Sequence, residues 1–224
     1  MSTQNTSRTV LKLADKGGRL AAEQRRFTAA LRYLNQALKL DPENAHAHRF
    51  RGLVYRERQQ YTRAKRDLVA AVNLDPHSSA SHLFLGVFLV DRSAYRWGLY
   101  HLEQALALET DRCVGTASAA NLVRPYAYHR LGQDFQAREV CDLLLAEDPH
   151  EPCYQCMAEW LTLRIGCQDA LTTDSQTRQI LAGPRFSTRC GDWPGLYCRC
   201  EAWRVLSIYV LPDDRRYVAS DDND

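Results

Sequence analysis

The chain has 224 residues, 45% of them hydrophobic and 25% charged, with a formal net charge of +2. That length suits one large domain or a stack of repeats, and the composition excludes collagen-like, low-complexity and membrane-dominated chains. The charge is unevenly spread: residues 1–112 hold 18 Lys and Arg against 11 Asp and Glu (+7), and residues 113–224 hold 11 against 16 (−5), an asymmetry that can steer partners.

The first ten residues, MSTQNTSRTV, are polar and lack the apolar stretch of an export signal, and residues 1–8 read as a disordered N-terminus. The Asn5-Thr6-Ser7 sequon then has no export route to make it an acceptor, and the eight cysteines read as reduced thiols. The longest apolar run, residues 83–90, falls far short of a membrane span. The expected location is cytoplasmic, with the nucleus or a cytoskeletal or ciliary structure left open.

From about residue 9 the chain becomes periodic. Residues 45–76 show the unit most clearly. One apolar stripe runs through Phe50, Leu53 and Val54, and a second through Tyr61, Ala64, Leu68, Ala71 and Val72. The spacing of three and four predicts two amphipathic helices, joined at Gln59-Gln60 and stopped at Asp75-Pro76. One such hairpin cannot bury its own stripe, so the unit should recur.

It recurs every 34 residues. Gly18, Gly52 and Gly86 align, as do Phe27, Tyr61 and Tyr95, then Ala30, Ala64 and Gly98. Leu34, Leu68 and Leu102 follow, then Ala37, Ala71 and Ala105, and Leu40, Leu74 and Leu108 close each unit. A mid-helix Gly costs about 1 kcal/mol against Ala, so it implies that another helix approaches closely there. Asp41-Pro42 and Asp75-Pro76 end the first two units, because Pro cannot continue a helix, and Glu109-Thr110 stands at the end of the third.

This pattern resembles the tetratricopeptide repeat family, closely over residues 11–110. The resemblance implies an all-α, right-handed superhelical stack of antiparallel helix pairs, whose first helices line a concave groove that holds a segment of another protein. After Thr110 the period slips through a polar insert. Residues 121–131 read as a first helix with Pro125 inside it, so a kink or a late helix start is expected. Residues 135–148 read as its partner, and residues 153–165 as a further amphipathic helix that opens a degenerate fifth hairpin or cap. Four to five units are thus expected within 9–182, at about 11–44, 45–78, 79–112, 118–149 and 150–182. Residues 183–224 form a short non-repeat tail, rich in Cys and Trp and acidic at its end.

Projecting the groove face implied by the resemblance gives Lys12, Asp15, Arg19 and Glu23 in unit one. Unit two supplies His46, Arg49, Leu53, Arg56 and Glu57, and unit three Leu83, Val87, Val90 and Asp91. The groove should run from basic to apolar and suit a partner segment that is acidic and then apolar. Some family members clamp the C-terminal carboxylate of a chaperone with Lys, Asn and Arg. The corresponding places here hold Asp15, Arg19, Phe50, Ala80 and Phe84, which argues against that clamp. The segment AWRVLSIYVL (202–211) could instead fold back over Leu83, Val87 and Val90.

Two other chemistries fit parts of the pattern. Cys153 and Cys156 have metal-ligand spacing, and Cys190, Cys198 and Cys200 could complete a thiolate site. Spacing of three is also ordinary on a helix core face, and the second group lacks a CxxC, so buried or idle thiols are expected and no metal or cofactor is implied. Arg49, Arg51, Arg56, Arg58, Arg63, Lys65 and Arg66 crowd eighteen residues, which leaves RNA binding as an alternative function. Self-association through the open ends of the stack is another. No phosphate-binding GxxxxGK, HExxH or GxSxG motif occurs, and His129 with Cys141 lacks an orienting third group. The expectation is a non-enzymatic interaction scaffold.

Overall fold

The computed structural model describes residues 3–22, 26–108 and 116–150, and residues 154, 155, 157–159, 161, 162 and 165. Helices α1 (Thr3–Ala22) and α2 (Phe27–Leu40) form the first pair, and α3 (Ala45–Glu57) and α4 (Tyr61–Leu74) the second. Helices α5 (Ser79–Asp91) and α6 (Tyr95–Ala107) form the third, and α7 (Thr116–Arg130) and α8 (Asp134–Glu147) the fourth. No strand occurs among the described residues.

The helix boundaries follow local chemistry that repeats with the same period. Asn44 caps α3 by accepting the Ala47 N–H at 2.9 Å, and Ser78, 34 residues on, caps α5 by accepting the Ser81 N–H at 3.2 Å. The turns inside the second, third and fourth pairs are each closed by one left-handed residue: Gln59 (φ 58), Ser93 (φ 63) and Gly132 (φ 74). Only Gly132 takes that conformation without strain. The second helices start at Arg26, Gln60, Ala94 and Gln133, none of which makes a side-chain cap bond. These helices therefore depend on packing for their stability.

That packing is a leucine set against a glycine. Leu34, Leu68 and Leu102 are each 0% exposed. A Cβ on Gly52 would lie 2.8 Å from Leu68 Cγ, and one on Gly86 would lie 2.9 Å from Leu102 Cγ. In the first pair the register differs by one residue. Gly17 meets Leu34, where a Cβ would lie 2.6 Å from Cγ, while the aligned Gly18 receives the Phe50 ring of the next unit at 2.8 Å. The adjacent glycines of α1 thus serve two neighbours, which the 34-residue alignment alone does not show.

Each unit also packs on the next. First helices touch first helices (α1 on α3, α3 on α5, α5 on α7), and each second helix touches the following first helix. Successive second helices make no comparable contact among the described residues. The stack therefore curves with its first helices on the inner side. Residues Tyr154, Met157, Ala158 and Leu161 are helical and join the buried cluster of Leu122, Cys141 and Leu144. They cover the end of the fourth pair.

Two expectations need correction. Residues 3–8 are the start of α1, not a disordered tail: the helix runs back from buried Val10, without a terminating residue in that polar stretch. Of the kink or late start expected at Pro125, the late start does not occur. The helix begins at Thr116 and runs through Pro125, so the carbonyl four residues earlier, on Asn121, has no amide of Pro125 to bond. The second half of the fifth hairpin (168–181), the tail at 183–224 and the fold-back of 202–211 lie outside the described residues.

The Gly–Leu interlock predicts a specific cost. In Gly86→Ala the new Cβ would stand 3.0 Å from the Gly98 carbonyl oxygen and 3.0 Å from the Leu102 nitrogen, both backbone atoms. Although Ala favours a helix by about 1 kcal/mol, denaturant unfolding should show a net loss of about 1–3 kcal/mol. Wild-type stability or better would mean that the helices are not held at this distance.

Candidate functional site

The inner face is built from positions on the first helices. Lys12 and Arg19 on α1 are exposed, as is Lys16 between them, which lies 4.4 Å from the centre of the Tyr33 ring. Asp15 points to the next first helix, α3, where its Oδ1 lies 2.8 Å from His46 Nε2. On its other side His46 Nδ1 accepts a hydrogen bond from Arg49 Nη2 at 2.8 Å. An arginine only donates, so His46 keeps its proton on Nε2 and gives it to Asp15. Burial lowers the His46 pKa, the Arg49 charge lowers it further, and Asp15 opposes both.

Arg49 is consequently more than a free groove cation. Its Nη1 reaches the N-cap Ser78 at 3.5 Å, and its guanidinium lies 5.3 Å from the Phe50 ring and 5.9 Å from the Phe84 ring. The half-buried Phe50 and Phe84 sit on adjacent first helices and form a shelf beneath this charge. At sequence level Phe84 registers only as an obstacle to a chaperone clamp, and Phe50 as that and as part of an apolar stripe. Their 34-residue spacing on the groove face was the available signal for a shelf.

The other expected groove residues are turned inward. Leu53 is 6% exposed, Leu83 6%, Val87 2% and Val90 2%. Leu83, Val87 and Val90 belong to one cluster with Leu122, Val123 and Ala127 of α7. The apolar half of the expected groove is thus the seam between adjacent first helices and is closed to a partner. A projection of one helix cannot reveal this, because the neighbouring helix that closes the seam comes from the next repeat.

Arg56 is also sealed in the seam, 3% exposed. Its Nη2 bonds Glu57 Oε1 at 3.2 Å, its Nε lies 3.8 Å from Asp91 Oδ2, and its Nη1 has no hydrogen-bond partner. Burial pushes the Asp91 carboxyl up to about 6, with Arg56 pulling down and Glu57 pushing up.

On the flank of the second unit lies a clasp that sequence reading missed. Asp67, 1% exposed, accepts from Arg51 Nε at 2.7 Å and Arg51 Nη2 at 2.8 Å, and lies 3.1 Å from His48 Nδ1. The other His48 nitrogen, Nε2, bonds the Pro42 carbonyl at 3.0 Å. His48, Arg51 and Asp67 join α3 to α4 and to the turn before them. Burial raises the Asp67 pKa, but the bonds from Arg51 and His48 outweigh it, and the net shift is downward. The signal that could have found the clasp is the pair 48 and 67 recurring as 82 and 101.

The remaining candidates separate. His129 Nδ1 lies 2.7 Å from Asp134 Oδ1, while Cys141 is 0% exposed and burial pushes its thiol up to about 12. Such a thiol is not a nucleophile near neutrality. Cys153, Cys156, Cys190, Cys198 and Cys200 lie outside the described residues. Of the basic run at 49–66, Arg49, Arg51 and Arg56 are engaged internally, and Arg58, Arg63, Lys65 and Arg66 are exposed.

Residues 16–64 match a family model described as tetratricopeptide repeat. Residues 16–64 are thus tetratricopeptide-repeat sequence. No curated protein sequence matches it. Among solved structures, PilF of Pseudomonas aeruginosa is similar with a TM-score of 0.61 and 16% identity, over 79% of this chain and 82% of its own. MamA of MSR-1 follows at 0.59 and 17%, over 76% of this chain and 95% of its own. YrrB, described as a TPR protein with an unusual peptide-binding site, reaches 0.56 and 18%, over 74% of this chain and 81% of its own. These likenesses establish the fold, an all-α repeat stack.

Two buried carboxylates should give opposite pH signatures. Asp67, lowered on folding, adds stability above the ordinary carboxylate range that is lost as pH falls through its folded pKa. Asp67→Ala should cost about 3–5 kcal/mol at pH 7, because it strands Arg51. Equal urea midpoints for the variant and wild type would remove the clasp. Asp91, raised from 3.8 to about 6, binds its proton more tightly in the folded state, so its contribution to stability improves as pH falls from 7 through 6. Carboxyl carbon NMR should show its midpoint near 6, and an ordinary midpoint near 4 would contradict the sealed seam.

Proposed function

We propose that the chain is a protein-interaction scaffold that holds an extended partner segment along the inner face of its first three units. The observation that carries this reading is the juxtaposition of exposed Lys12, Lys16 and Arg19 on α1 with the Phe50–Phe84 shelf under Arg49. The peptide-binding site named for YrrB supports a peptide-holding role for the fold. The segment it fits is acidic where it crosses α1 and carries an aromatic or aliphatic side chain where it crosses Phe50 and Phe84. The basic-to-apolar order read from the sequence is kept, but the apolar station moves from Leu83, Val87 and Val90 to the two phenylalanines.

Binding of this kind needs no bond chemistry. The rigid Asp15–His46–Arg49–Ser78 chain crosses three first helices and presents a preformed surface, so a partner bears most of the ordering cost itself. No helix among the described residues is long and apolar enough to cross a membrane. The test is an array of Asp/Glu-rich peptides, each with one Phe or Leu, read by fluorescence anisotropy. Lys12→Glu with Arg19→Glu should weaken the best peptide at least tenfold, and Phe84→Ala should weaken it by a similar factor. Arg56→Glu is unsuitable, because it places a carboxylate in the sealed seam. Retention of binding in both variants would refute the reading.

A further inference from the structure

The third unit carries a variant of the clasp described above, and its chemistry differs. His82 on α5 and His101 on α6 stand 34 residues after His48 and Asp67. His82 keeps the backbone anchor: its Nε2 lies 3.2 Å from the Pro76 carbonyl, as His48 Nε2 lies 3.0 Å from that of Pro42. A carbonyl only accepts, so His82 carries its proton on Nε2 and its Nδ1 is a bare lone pair. That lone pair faces His101 Nδ1 at 3.1 Å. Where unit two has a carboxylate, unit three has a second imidazole. Where unit two has Arg51, unit three has Leu85, 3% exposed. The charged clasp has become two neutral nitrogen ligands, with an apolar residue at the place of the arginine.

We propose that His82 and His101 form a two-imidazole chelate for a divalent transition-metal ion of the zinc, nickel or copper class, with solvent completing the coordination. Two nitrogens, each about 2.0–2.1 Å from one tetrahedral ion, stand about 3.3–3.4 Å apart, so the observed separation needs a shift of only a few tenths of an ångström. The Pro76 carbonyl is the outer partner that fixes the tautomer and orientation of a metal-bound histidine. Imidazole pairs without a carboxylate select these ions over magnesium and calcium. Burial lowers the pKa of both rings, that of His101 to about 4 with a further push from His82, so neither proton of an imidazolium has to be displaced at neutral pH.

The proton balance is simple. In the metal-free pair His101 donates from Nδ1 to His82 Nδ1. On binding, that proton leaves Nδ1 and His101 takes one on Nε2 from solvent, so no net proton is released. Access is from the α6 side: His82 is 6% exposed, whereas His101 is partly open, and the ring of Tyr100, 49% exposed, packs edge-on against it at 5.1 Å.

The experiment is a zinc titration of the full chain with two readouts. Histidine-ring nitrogen NMR should show the Nδ1 signals of His82 and His101 moving together and saturating at one equivalent. Equilibrium dialysis should show one fewer zinc per chain, or binding at least tenfold weaker, in His82→Gln and His101→Gln, whereas His150→Gln keeps the wild-type value. The NMR readout uses only the wild-type chain, so it holds even if a variant folds poorly. Unmoved Nδ1 signals, or unchanged zinc stoichiometry and affinity in both folded variants, would overturn the proposal.

Discussion

The structure depends on how closely two helices can approach where a glycine faces a leucine. Leu34, Leu68 and Leu102 each occupy the space that a Cβ on Gly17, Gly52 or Gly86 would claim. This contact sets the spacing within a pair, and so the width of the apolar edge left for the next pair. Because that edge is too wide for one hairpin to hide, the fold is an array held mainly by nearest neighbours. The inner face inherits its shape from this spacing: first helices lie against one another, and only side chains at the crest of each remain accessible.

The seam between first helices decides what the groove can be. It buries Leu53, Leu83, Val87 and Val90 together with the guanidinium of Arg56. A charge in such a place is costly and is tolerated because Glu57 and Asp91 lie beside it. The accessible crest instead carries Lys12, Arg19 and the Phe50–Phe84 pair, with His46 and Arg49 tied into a chain of hydrogen bonds. A groove residue can therefore be a contact for a partner or a part of the wall, and helical periodicity alone does not distinguish the two.

The repeat also shows how one backbone position can change chemistry between units. The position pair 48 and 67 forms a charged clasp with Arg51, while 82 and 101 hold two imidazoles and Leu85 stands at the position of Arg51. In both units the first-helix histidine is anchored to the carbonyl of the preceding proline. The anchor is structural and constant; the partner on the second helix varies. Variation at a fixed site on a constant scaffold is how a repeat fold acquires local function without altering its stack.

The sequence by itself determined the fold, the 34-residue period, the turn at Gln59-Gln60 and the stops after Leu40 and Leu74, because these depend on local spacing and on residues that cannot continue a helix. It also pointed to the close approach at Gly52 and Gly86. The tertiary structure alone decided which apolar and charged residues face a partner, since burial depends on a helix one repeat away. It likewise decided the one-residue shift at Gly17 and the joining of His82 to His101, 19 residues apart. Contacts between units are absent from any single helix's pattern, and they are what convert a face into either a seam or a site.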